Sequence, residues 1–87
     1  NLSGADLGRS NLRAANLTNA DLMDVRLFGA NLLGADLSDA NLTNADLRGA
    51  HLTYANLRGA DLREANLSGA TWTDGLTCGE GSMGACN

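Results

Sequence analysis

Ala30-Asn31-Leu32-Leu33-Gly34-Ala35-Asp36-Leu37-Ser38-Asp39-Ala40-Asn41-Leu42 decides the fold. It reads Ala, then Asn or Asp, then Leu, then two variable residues, and begins again. Outward from it, in both directions, the central Leu recurs every five residues from Leu2 to Leu67, and Trp72 takes the next place, giving fifteen centres without an insertion. The residue before the centre is Asn or Asp in twelve of fifteen units; Arg26, His51 and Thr71 are the departures. Two before the centre, Ala stands in twelve of fourteen units, with Ser10 and Val25 as the exceptions.

A beat of five fits neither regular element. On an α-helix five residues advance about 500°, so the leucines would spiral and form no stripe. On a flat strand an odd step throws successive leucines to opposite faces. The pattern requires a chain that turns a corner in every unit, so that each Leu can meet one inner axis. Asn, Asp and Gly tolerate such corners, through left-handed backbone or through side-chain turns.

Units such as Ala35-Asp36-Leu37-Ser38-Asp39 and Ala45-Asp46-Leu47-Arg48-Gly49 resemble the pentapeptide-repeat family over residues 1–74. The resemblance implies an all-β fold, a right-handed quadrilateral β-helix with four units to each coil of twenty residues. Fifteen units then make a little under four coils. It also implies that Leu and the preceding small residue face inward and the other three face solvent. Charge supports the coil length, because like charges stacked on neighbouring rungs are disfavoured. At an offset of twenty no acid meets an acid: Asp21 meets Asn41, Asp36 meets Asn56, and Arg26 stands between Asp6 and Asp46. Offsets of ten, fifteen and twenty-five each bring aspartates together, as in Asp36 with Asp46, Asp6 with Asp21, and Asp21 with Asp46.

Composition narrows the function classes. The 87 residues carry a net charge of −4 and no lysine, which argues against a nucleic-acid-binding face. With Phe28, Tyr54 and Trp72 as the whole aromatic set, a core of mixed large side chains is excluded. No apolar run is long enough to span a membrane. Asn1 falls inside a unit, which suggests processing or a fragment of a longer chain.

The beat fails at Thr71-Trp72-Thr73-Asp74-Gly75, where Trp72 is expected to close the core as a lid. Residues 75–87 form a glycine-rich tail with both cysteines, Cys78 and Cys86. Two thiols alone do not make a zinc site, and Cys-x-x-Cys is absent. A disulfide tying the tail into a cap, or two reduced buried thiols, are the alternatives, and the first favours an oxidising compartment. The string from Thr71 to Gly75, with Cys78, Gly81-Ser82, Gly84 and Cys86 behind it, resembles the C-terminal tails of cyanobacterial and thylakoid-lumen pentapeptide-repeat proteins. That implies a lumenal or periplasmic setting and no particular activity.

Three surface features are candidates for function. Met23, Phe28 and Leu33 are large apolar residues at outward positions of one coil, on three adjacent faces, and form a possible protein-partner belt. Arg48, twenty residues beyond Phe28, is expected to stack on its ring. Asp21, Asp24, Asp61 and Glu64 make one face acidic against Arg63 alone. That face is a solvated surface, a weak calcium patch, or the kind of DNA mimicry by which some quinolone-resistance members bind a topoisomerase. Alternate coils separate its pairs by about 9.6 Å, too far to share one metal. His51 and Tyr54 share a face, but no Ser or Cys is placed to act with them as a nucleophile. The chain is expected to be a non-enzymatic scaffold that needs no cofactor and binds a protein partner whose identity the sequence does not give.

Overall fold

The computed structural model describes residues 1–74 of the chain. Ten parallel bridges tie it together, and every one joins residues twenty apart, from Asp6–Arg26 to His51–Thr71. One circuit of the chain therefore uses twenty residues, and the pentads stack in four columns. The first column holds 1–5, 21–25, 41–45 and 61–65; the second 6–10, 26–30, 46–50 and 66–70; the third 11–15, 31–35, 51–55 and 71–74; the fourth 16–20, 36–40 and 56–60. This is the register expected from the charges, with Arg26 on the rung between Asp6 and Asp46.

Each pentad with a described circuit above and below it distributes its backbone donors in the same way. The N–H before the central Leu donates to the circuit below, as Asp46 does to the Val25 carbonyl at 2.9 Å. The Leu N–H donates to the circuit above, as Leu27 does to the Asp46 carbonyl at 2.7 Å. The fourth residue also donates upward, as Gly29 does to Arg48 at 2.9 Å, and the fifth closes a tight turn onto its own Leu, as Ala30 does to Leu27 at 2.9 Å. The third N–H has no backbone partner.

That orphan donor explains the Asn/Asp rule. All twelve Asn and Asp residues in the position before Leu accept the N–H two residues on through Oδ1, at 2.9–3.3 Å. Thr18, Ser38 and Thr43 add a hydroxyl donor to the same oxygen at 2.7 Å. These are side-chain turns of the Asx type. Left-handed backbone falls elsewhere, on the fourth residue of each pentad from Gly4 to Gly69. Glycine fills six of those fourteen places; the other eight hold residues as large as Tyr54, at φ 61°, and Arg9, at φ 60°. The two ways of turning a corner are thus assigned to separate positions.

Inside, the leucines and alanines pack as the repeat implies. Leu32, Leu37, Leu42, Leu47, Leu52 and Leu67 are fully buried, as is Val25, so the small-residue slot also admits a β-branched side chain. Burying each Leu contributes about 1.5–3 kcal/mol. Leu7, Leu12 and Leu17 of the first circuit are only partly covered. Trp72 follows Leu52 in the third column and lies half-buried against the core. The tail from residue 75, with Cys78 and Cys86, lies outside the described residues. Among the described residues no helix is long and apolar enough to cross a membrane.

Candidate functional site

Met23, Phe28 and Leu33 occupy the same place in three consecutive pentads, the third residue, so all three point outward from one circuit. Their exposures are 38, 42 and 37%. Tyr54, 79% exposed, stands above Gly34 in the third column.

Phe28 sits in the second column between two cations. The Arg48 guanidinium lies 5.3 Å from the ring centroid, as the twenty-residue offset led us to expect. Arg9 lies 5.9 Å from it, coming from the circuit below. Arg9 is nineteen residues away and shares a rung with Gly29, not Phe28, so offset counting alone misses it. The Arg9 stem lies under Gly29, where a Cβ would stand 3.4 Å from Arg9 Cγ, in ordinary contact. Arg48 is held in place by Asp46, with Nε on Oδ1 at 2.8 Å and a terminal nitrogen on Oδ2 at 2.7 Å. That contact draws the Asp46 carboxyl below its ordinary range and raises Arg48.

Arg26 has the two flanking aspartates expected from the charge register, and its charge helps hold the Asp46 carboxyl down. Yet it makes no ion pair: among the described residues the ion pairs are Arg48–Asp46 and Arg63–Asp61. Asp6 is engaged by the Gly8 N–H and Asp46 by Arg48. The consequence of Arg26 is local. It has no acceptor for the third N–H of its pentad, so the Phe28 N–H has no partner among the described residues. Arg9, Arg26, Arg48, Asp6, Asp46 and Phe28 together line an open groove of about 460 Å³.

The acidic column is less uniform than its sequence implies. Asp61 is paired with Arg63, Nε and a terminal nitrogen both bonding its oxygens, and this lowers its pKa. Asp21 accepts the Met23 N–H, and Asn41 lies between Asp21 and Asp61 on the ladder. Asp24 and Glu64 are exposed corner residues at φ 61°. Among the described residues no three His, Cys, Asp or Glu side chains come together as a metal cluster. His51 and Tyr54 share the third column, both exposed.

A family model described as pentapeptide repeats matches residues 1–29 and 30–69. The chain is similar to a crystal structure of a pentapeptide repeat protein from the Arabidopsis thaliana thylakoid lumen, at 41% identity and a TM-score of 0.80, covering 92% of this chain and 55% of that one. It is similar to HetL of Nostoc, a pentapeptide repeat protein involved in heterocyst differentiation regulation, at 42% identity and a TM-score of 0.62, covering 86% of this chain and 39% of that one. Rfr23 of Cyanothece matches at 36% identity and a TM-score of 0.63, over 77% of this chain and 43% of that one. The chain therefore spans little more than half, or less, of these structures. No curated protein matches it.

Proposed function

The chain belongs to the pentapeptide-repeat family of right-handed β-helix solenoids, and on that premise we propose that it is a non-enzymatic scaffold that binds a protein partner through the belt around Phe28. The finer architecture we assign is a square helix of about four coils, since four pentads make each circuit of twenty. The observation that carries the reading is the belt itself: Met23, Phe28 and Leu33 stand exposed on one circuit while every other third-position residue of the described pentads is Gly, Ser, Thr or Arg. A rod whose interior is filled by Leu and Ala offers its surface to partners, not its inside. The likeness to a thylakoid-lumen protein supports an extracytoplasmic, lumenal or periplasmic, setting. The Asp61–Arg63 pair weakens the alternative of DNA mimicry toward a topoisomerase, because it removes one of four acids from the field of that column.

The test is Phe28→Glu with Leu33→Glu. Both side chains point to solvent, so the double variant is expected to keep its circular dichroism spectrum and to lose capture of partner proteins from a native extract. Capture equal to that of the unaltered chain removes the belt as the interface.

A further inference from the structure

We propose that the groove beside Phe28 is a carboxylate-binding site, and that its occupant is an acidic side chain, or a chain terminus, of the partner protein. The repeat itself shows which atom fits: an oxygen, from seven Asn amides and five Asp carboxylates. In twelve pentads the third N–H is met by a side-chain oxygen two residues back, and in Asp6, Asp21, Asp36, Asp46 and Asp61 that oxygen belongs to a carboxylate. Arg26 takes away the oxygen from its own pentad and leaves the donor, Phe28 N–H, open. An oxygen supplied from outside at that spot completes the turn that every Asx pentad completes for itself.

The groove then supplies the rest of a carboxylate receptor. Arg26 and Arg9 carry guanidinium groups with no ion-pair partner among the described residues. A guanidinium fork and a backbone N–H are matched donors for the two oxygens of one carboxylate. The ring of Phe28 offers an apolar wall to the methylenes or ring that carry the acid. Charge sets the valence. Arg9, Arg26 and Arg48 against Asp6 and Asp46 leave +1 in the groove, on a chain whose net charge is −4. A single negative charge balances that; a phosphate dianion overshoots it and faces two carboxylates. This inference rests on the protein-partner reading only for what carries the carboxylate.

Benzoate, a planar monoanion on an apolar ring, is the probe. Titrated into ¹⁵N-labelled chain, it is expected to move the Phe28 amide resonance in a saturable way. The Thr53 amide is the internal control: it is also uncapped, in the pentad that starts at His51, but the pentads beside it in its column hold no arginine. It is expected to stay in place. Arg26→Asn puts back an Asx oxygen and removes the cation, so the site closes without loss of the ladder, and benzoate affinity is expected to fall at least tenfold. Arg9→Gln, on an exposed corner, is expected to weaken benzoate severalfold and does not touch the rung. A Phe28 amide that ignores benzoate, responds equally in R26N, or responds more tightly to inorganic phosphate overturns the assignment. The belt is judged separately by partner capture with a Met23→Glu, Leu33→Glu variant, which leaves the groove residues unchanged. Benzoate binding without belt-dependent capture keeps the site and removes its protein carrier, while capture without benzoate binding removes the carboxylate site alone.

Discussion

Two pentads show what the repeat controls and what it leaves free. In Asn41-Leu42-Thr43-Asn44-Ala45, Asn41 Oδ1 takes the Thr43 N–H at 3.1 Å and the Thr43 hydroxyl at 2.7 Å, and the pentad is closed. In Arg26-Leu27-Phe28-Gly29-Ala30 the same backbone path carries a cation in place of the acceptor, and the third N–H is open. Inside, the two are alike: Leu42 and Leu27 are 0 and 1% exposed. The inner positions therefore specify the rod, while the outer Asx position settles one donor that the ladder cannot reach. A departure at that outer position costs little in fold and creates a surface donor.

The comparison breaks most visibly if the two cores are unequal. Leu42→Ala and Leu27→Ala should each lower unfolding stability by about 2–5 kcal/mol, with similar values for the pair; urea unfolding followed by circular dichroism measures both. A clear difference between them would mean that the outer departure propagates inward. The outer positions come next. Asn41→Ala removes a double acceptor and should cost about 0.5–1.5 kcal/mol, whereas Arg26→Ala removes no hydrogen bond and should stay within about 0.5 kcal/mol of the parent. Arg26→Asn turns the second pentad into the first and should gain about 0.5–1 kcal/mol by the same measurement.

The smallest effect concerns the pentads closed by a carboxylate. The Ser38 hydroxyl, the Arg48 guanidinium and the Arg63 guanidinium hold Asp36, Asp46 and Asp61 below the ordinary carboxylate range. The folded state thus binds these protons less readily than the unfolded one. Their contribution is complete above the unfolded value of about 3.9 and is lost as pH falls through the lower folded values. The thermal midpoint should be level from about pH 7 to 5 and decline below about 4. Replacing the three by Asn keeps Oδ1 but removes the charge, so it should lower the midpoint slightly at neutral pH and make the decline at acid pH shallower.

Much of this was legible in the sequence. The five-residue beat and the inward turn of each Leu follow from spacing; the twenty-residue circuit and the inward Ala came from the family resemblance, with the charge offsets as support, and the stacking of Arg48 on Phe28 from that circuit. The division of labour at the corners was not. Asn, Asp and Gly all favour turns, and only the hydrogen-bond pattern assigns the Asx acceptor to one position and left-handed backbone to another, where Tyr54 and Arg9 serve as well as Gly. Arg26 was visible as a departure between two aspartates, and its charge does act on Asp46, but spacing did not show its second effect. That effect is felt by a backbone donor, and side-chain spacing carries no record of which donors the ladder leaves over. Arg9 was hidden because it reaches the Phe28 ring from a position one residue off the twenty-residue register.

Amide hydrogen exchange reads the central claim directly, that one N–H per pentad depends on its Asx oxygen. At neutral pH the Phe28 amide should exchange close to the rate of an unstructured chain, and the Thr43 amide should be protected at least tenfold, since it opens only with its turn. Arg26→Asn should slow Phe28 to the rate of Thr43 and leave Thr43 itself unchanged. Equal protection of Phe28 and Thr43 in the parent chain, with no change at Phe28 in R26N, would contradict the account.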